Sequence, residues 1–221
     1  MTRVAITGAS RGIGREAALA FAARGCQLTL LGRRSSALDA LRAELHDAEW
    51  VECDLSDGDQ VERAGAQLCR GLVDVLVNNA AVIQRAPLLG VTREQFEQQL
   101  AVNLTAPFLL TRAVLAPMLA RGSGRVIQVA SISATLGTAN SAAYNATKWG
   151  LVGFMKSVAE ELRDSGVMTC ALLPGSVDTS MLVGSGFAPR MSAADVARTL
   201  VFLGLDASLA HNGAAVEMFG T

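Results

Sequence analysis

A phenol four residues ahead of a primary amine, Tyr144 and Lys148, is the pairing most able to do chemistry, with Ser131 thirteen positions before the tyrosine. If Tyr144 to Lys148 is helical, the two side chains stand one turn apart on the same face. An ammonium close to a phenol favours the phenolate, so this spacing predicts that Lys148 lowers the pKa of Tyr144. A hydroxyl at Ser131 would then share a substrate oxygen with the phenol. The three would make a proton donor and a hydrogen-bond anchor aimed at one carbonyl. Y-x-x-x-K alone is a frequent chance pattern, and its weight comes from the rest of the chain.

The second motif is Thr7-Gly8-Ala9-Ser10-Arg11-Gly12-Ile13-Gly14, between an apolar strand (Arg3 to Thr7) and a helix running to about Arg24. Strand, glycine turn and helix form the context of a phosphate-binding loop. Gly8 would allow the tight turn, Gly12 the approach of backbone to pyrophosphate, and Gly14 close packing of helix on strand. The helix start offers free N–H groups to phosphate oxygens. The next strand, Cys26 to Leu31, ends in Gly32-Arg33-Arg34. An acidic residue there would accept hydrogen bonds from the adenosine ribose of NAD. This chain instead offers Arg33 and Arg34, with Arg11 opposite. Guanidinium groups grip phosphate in forked geometry, so the inferred cofactor is NADP(H).

The remaining periodicity supplies the frame for these motifs. Ser35 to about Asp47 reads as an amphipathic helix with Leu38, Leu41 and Leu45 on one stripe. Glu49 to Cys53 reads as a strand, followed by Asp54-Leu55, where a carboxylate would meet the adenine amino group or, alternatively, start the helix near Asp57 to Arg70. Val73 to Val77 is a strand ended by Asn78-Asn79-Ala80-Ala81, whose asparagine amides would tie strand ends together. Thr92 to about Leu119 reads as one helix bent near Pro107, with Asn103 either exposed or given a polar task. Arg125 to Ala130 is a strand that delivers Ser131, and Ala142 to about Asp164 a helix with an apolar face wider than one stripe, which suggests a subunit contact. Val167 to Leu173 is a strand ending in Pro174-Gly175-Ser176-Val177-Asp178-Thr179. Met181 to Arg190 is a lid-like loop, Ser192 caps a helix to about Gly204, and Ala214 to Phe219 closes a sheet. The fold class is α/β, a doubly wound parallel sheet of about seven strands with helices on both faces, in a single domain over residues 1–221. Every motif falls at a strand's C-terminal end, where such folds bind ligands.

Composition excludes several classes. Lys+Arg 19 against Asp+Glu 20 leaves no field for nucleic acid or an anionic membrane. The longest charge-free stretch, Val126 to Thr147, is too polar for a membrane span, and Met1-Thr2-Arg3 leads straight into a strand with no signal peptide, so the expected location is cytoplasmic. Cys26, Cys53, Cys69 and Cys170 lack metal-ligand or C-x-x-C spacing and read as small core residues; no metal is expected. His46 and His211 stand far apart and no G-x-S-x-G elbow is present, which argues against a serine hydrolase.

In combination, Thr7-Gly8-x-x-x-Gly12-x-Gly14, Asn78-Asn79-Ala80, Asn103, Ser131, Tyr144-x-x-x-Lys148 and Pro174-Gly175 resemble the short-chain dehydrogenase/reductase family, and within it the 3-oxoacyl-carrier-protein reductase type, over essentially the whole chain. The resemblance implies a catalytic tetrad. Tyr144 would be general acid or base, Ser131 would hold the substrate oxygen, and Lys148 would bind the nicotinamide ribose and depress the tyrosine pKa. Asn103 would hold a water linking the lysine to solvent. It implies cofactor contacts at Ser10, Arg11, Ile13, Arg33, Asp54, Leu55, Asn79, Ala80, Val177 and Thr179, beside Gly8, Gly12, Gly14, Arg34, Ala81, Pro174 and Gly175. Ala81 departs from the glycine usual in N-N-A-G and would narrow the space beside the cofactor. The segment Thr179 to Ser192 is short for the family's lid, and the C-terminal residues lack the usual Gly-Gly. A short lid implies an open site, or a substrate held partly by a partner subunit. Ser133, Gln84, Asn140 and Met181 are expected to line the substrate side. The expected activity is hydride transfer between NADP(H) and a small carbonyl or secondary alcohol; the alternative is an NADP(H)-binding regulatory protein without turnover. A homo-oligomer, tetramer or dimer, is expected.

Overall fold

Alternation along the strands sorts side chains to two faces, and the helices follow. The computed structural model describes residues 1–220. Its strands are β1 (Arg3–Thr7), β2 (Gln27–Gly32), β3 (Glu49–Glu52), β4 (Val75–Asn78), β5 (Gly124–Val129), β6 (Val167–Pro174) and β7 (Ala215–Met218). They form one parallel sheet in the order β3-β2-β1-β4-β5-β6-β7. The helices are α1 (Gly12–Ala23), α2 (Ser36–Glu44), α3 (Gly58–Gly71), α4 (Arg93–Leu100), α5 (Ala106–Arg121), α6 (Ala142–Glu161) and α7 (Ala193–Val201). Val4, Ile6, Val75 and Val77 pack with Phe21, Leu38, Leu41 and Leu200 on one face of the sheet. Ala5 and Leu76 turn the other way, onto Val61, Leu68, Leu110, Val114 and Met118. The doubly wound parallel sheet expected from the sequence is what forms, and Cys53 and Cys170 are buried in its core layers.

The order reverses between β1 and β4. Chains leave these two strands in opposite directions and open a crevice at their C-terminal ends. Capping residues fix several helix starts: Ser35, Asp57, Thr92 and Ser192 accept from the N3 backbone N–H of α2, α3, α4 and α7. Helix α1 differs. Its N-cap, Arg11, makes no side-chain cap bond and its first turn holds no acid.

Several element bounds depart from the sequence reading, among them the end of α6, at Glu161 rather than Asp164. Helix α2 stops at Glu44 rather than Asp47, because the leucine stripe ends at Leu45 and His46 and Asp47 are exposed. The last helix stops at Val201 and continues as a wider π turn, Phe202–Asp206, instead of running regularly to Gly204. The irregularity expected at Pro107 lies one turn earlier, as a π turn over Ala101–Thr105 joining α4 to α5. Pro107 lacks the N–H that would bond the Asn103 carbonyl, and its ring crowds that carbonyl in a regular helix. A wider turn at that spot relieves both constraints. The continuous run Arg93–Arg121 is long and apolar enough to cross a membrane, yet it lies along the sheet with Leu110, Val114 and Met118 buried beneath it.

Candidate active site

The glycine loop is held by close packing and by amides. Gly8 and Gly12 have positive φ (69° and 53°), a conformation that suits glycine. Gly14 has no room for a side chain: a Cβ would meet the Gly8 carbonyl oxygen and Asn79 Nδ2. At Gly12 a Cβ would come 3.1 Å from Thr179 Cγ2, so the loop after β6 seats directly on the glycine loop. Asn79 ties β4 to β1, donating from Nδ2 to the Thr7 and Gly8 carbonyls at 2.9 and 3.3 Å. The Thr7 hydroxyl accepts from the Asn79 and Ala80 N–H groups at 2.9 and 3.0 Å. Sequence reasoning placed Thr7 at the end of a strand and the head of the glycine motif but gave its hydroxyl no task; its threonine identity beside the glycine loop was the available signal.

These elements wall a cleft of about 1300 Å³. That exceeds the roughly 300–1,000 Å³ usual for one small ligand and leaves space for a dinucleotide with a second molecule. Gly8, Ser10, Arg11, Gly12, Ile13, Gly14, Arg33, Arg34, Asp54, Leu55, Asn79, Ala80, Ala81, Pro174, Gly175, Val177 and Thr179 all line it, as do Ser131, Tyr144 and Lys148. The uncapped start of α1 leaves its first-turn N–H groups free for phosphate oxygens. At the end of the cleft beside β2, Arg33 and Arg34 are exposed, 3.9 Å from Asp54 and 4.0 Å from Asp39 respectively. Asp54 accepts from the Ser56 N–H and hydroxyl at 2.9 and 2.7 Å, and these bonds hold its carboxyl below the usual range. The cap of α3 is Asp57, not Asp54.

Tyr144 and Lys148 lie on the buried face of α6, one turn apart, with Ser131 at the end of β5. Lys148 is buried; Nζ donates to the Val129 carbonyl at 2.9 Å and sits 5.6 Å from the Tyr144 ring centroid. The expected direction of the tyrosine shift is reversed. Burial pushes the Tyr144 phenol up to about 12, while the Ser131 hydroxyl and the Arg85 guanidinium pull it down less strongly. Burial also pushes the Lys148 amine down to about 7. A buried site disfavours both charged forms, so near neutrality the amine supplies only part of the charge the expectation assumed.

Asn103 stands behind the cleft rather than lining it. Its amide donates to the Val82 carbonyl (2.8 Å) and to Thr147 Oγ1 (3.1 Å), and its Oδ1 accepts from the Val82 N–H (2.8 Å). Both amide N–H groups are spent on protein, so the side chain braces the loop after β4 against α6. Ser133, Asn140 and Met181 line the cleft, as expected; Gln84 does not. Its amide turns to Gln98 Oε1 at 3.1 Å. The neighbouring Arg85 lines the cleft in its place and donates to the Met181 carbonyl at 3.2 Å. Sequence reasoning missed Arg85 because no motif marks it.

A sheet that switches direction above a glycine loop, with a phenol, a hydroxyl and an amine converging at the crevice, defines a dinucleotide-binding enzyme class. Residues 2–186 match the short chain dehydrogenase family, and the chain belongs to it. It is 35% identical over 226 residues to a 3-oxoacyl-[acyl-carrier-protein] reductase of Synechocystis sp., covering 93% of this chain and 90% of the relative. Among solved structures it resembles a putative NAD(P) dependent gluconate 5-dehydrogenase from Beutenbergia cavernae, determined with bound NADP at low occupancy. The TM-score is 0.90 at 32% identity, covering 98% of this chain and 94% of that one. A blue fluorescent protein from a metagenomic library, solved in complex with NADPH, gives 0.91 at 30% identity, covering 99% and 96%. As a family member the chain is an NAD(P)-dependent oxidoreductase acting on small-molecule alcohol or carbonyl groups.

Proposed function

We propose that residues 1–221 act as one dinucleotide-binding unit that reduces a ketone or aldehyde with NADPH, Tyr144 supplying the proton. The observation that carries this reading is a buried phenol, kept protonated well above neutral pH, beside Ser131 in a cleft large enough for cofactor and substrate. A protonated phenol is the form that gives a proton to a carbonyl oxygen in the reductive direction. The dinucleotide supplies the hydride when bound. Tyr144 then protonates the carbonyl oxygen, and the Ser131 hydroxyl donates to the same oxygen as charge develops on it. Lys148 spends one donor on Val129 and keeps two for ribose hydroxyls. With a pKa near 7 it also accepts or returns a proton at little cost, which suits it to neutralise the phenolate left behind. Asn103 keeps α6 and the loop after β4 in register. Arg11, Arg33 and Arg34 take the 2′-phosphate, a preference supported by the relatives solved with NADP and NADPH.

The test is NADPH oxidation across a panel of ketones and aldehydes. Tyr144→Phe is expected to lower kcat by about 10²–10⁴ with NADPH still bound. Tight NADPH binding by the unaltered protein with no turnover of any carbonyl would instead favour a regulatory binding protein. A cytoplasmic homo-oligomer completes the reading. Trp149 and Phe108 are 53% and 40% exposed on α6 and α5, and Phe108 packs edge-on to Phe154 at 5.7 Å, an apolar face suited to a second copy. A stable monomer in sedimentation at micromolar concentration would remove that part.

A further inference from the structure

The charged side chains lining the cleft divide unevenly. Arg11, Arg33 and Arg34 belong to the adenosine end and Lys148 to the ribose, under the reductase reading. Asp54 is the one acid among the described lining residues, and it too lies at the adenosine end. Arg85 is left over on the substrate side. Its backbone is fixed from both flanks: the Gln84 N–H donates to Gln99 Oε1 at 3.2 Å and the Ala86 N–H to the Asn140 carbonyl at 3.0 Å. Its Nη1 donates to the Met181 carbonyl at 3.2 Å, and it forms no ion pair among the described residues. A guanidinium carries five N–H donors, so most remain available to a ligand. Its charge acts on the Tyr144 phenol against burial, less than the Ser131 hydroxyl does.

We propose that Arg85 is a specificity-determining residue that grips a substrate carboxylate, so that the substrates are oxo acids and, in reverse, hydroxy acids. The proposal rests on the reductase reading and deepens it. A planar carboxylate matches the guanidinium fork. A phosphate monoester would meet a single cation here, against three at the adenosine end. Holding the carboxylate also fixes the carbonyl relative to Tyr144, because the arginine is anchored to the framework that positions Asn103.

The experiment uses the full chain with NADPH and straight-chain oxo acids of increasing carbonyl-to-carboxylate separation, each paired with its methyl ester. For the best pair, kcat/KM for the acid is expected to exceed that for the ester by about tenfold or more. Arg85→Gln is expected to lower the acid's kcat/KM by about 10- to 100-fold, chiefly through KM, and the ester's by less than about threefold. Arg85→Lys, which keeps the charge without the fork, retains part of the acid preference. Equal rates for acids and esters, or equal losses on both in Arg85→Gln, overturn the carboxylate assignment and leave the reductase reading intact. NADPH binding without turnover of any acid, ester or neutral ketone overturns the reductase reading, and this proposal with it.

Discussion

At Gly14, on the dinucleotide side of the cleft, a methyl group would collide with the Gly8 carbonyl oxygen and with Asn79 Nδ2. At Gly137, on the substrate side, a methyl group would meet nothing within 4 Å. The same contrast runs through the surroundings. The glycine loop is locked by Asn79, Thr7 and the seated Thr179, whereas the loop beyond Thr179 carries exposed Val183 and Phe187 and two glycines, Gly184 and Gly186, where a Cβ would meet nothing within 4 Å. Under the proposed reading, a cofactor of fixed shape is met by backbone packed to contact, and the substrate by side chains on a looser rim, which is where members of one family diverge.

The largest expected effect tests this contrast directly. Gly14→Ala should destabilise the fold by about 3 kcal/mol, a fall in melting temperature of about 10 °C, and weaken NADPH binding. Gly137→Ala should leave stability within about 0.5 kcal/mol and act only on substrate kcat/KM. Thermal melts of both variants, with and without NADPH, decide the matter; similar shifts would break the comparison.

The seam between the halves gives a smaller effect with a definite sign. Lys148 has a folded pKa of about 7, below its value of 10.5 in an exposed state. The unfolded chain therefore holds more protons between these values, and this group's contribution to stability rises with pH across the window. From pH 7 to pH 9 the gain should be about 2 kcal/mol, and it should vanish in Lys148→Met. Urea unfolding at several pH values measures it. Above this window Tyr144, with its pKa raised to about 12, acts the other way: its contribution is intact below pH 10 and lost as pH climbs through 12.

What was legible from sequence follows the same division. Gly8, Gly12 and Gly14 announce their task because only glycine meets the backbone demand, and Val4-Ala5-Ile6 announces a buried strand because its apolar run is unbroken. Tyr144 and Lys148 are visible by helical spacing. Their pKa directions were not, because spacing reports distance and says nothing of burial, which dominates both shifts. Asn103 read as either exposed or given a polar task; its partners lie 21 and 44 residues away, at Val82 and Thr147. Gln84 and Arg85 are adjacent and both polar, and which one faces the cleft is settled by Gln98, Gln99 and Asn140, all distant in sequence.

Arg33 sharpens the comparison from within the tighter half. Its side chain is 79% exposed and pairs only loosely with Asp54, at 3.9 Å. Under the proposed reading, the rigid dinucleotide side therefore also leaves its choice between cofactors to a solvent-facing group. Exposure limits what one such contact contributes, so the expected effect is the smallest of the set. Arg33→Ala should raise the dissociation constant of NADPH by about tenfold and leave that of NADH nearly unchanged, read by titration of nicotinamide fluorescence. Equal weakening of both cofactors would assign Arg33 to the architecture of the β2 end, and cofactor choice would then pass to Arg11 and Arg34. Selective loss would mean that both halves work alike at their last step, each using an exposed arginine to select one anion on a scaffold that backbone packing has already fixed.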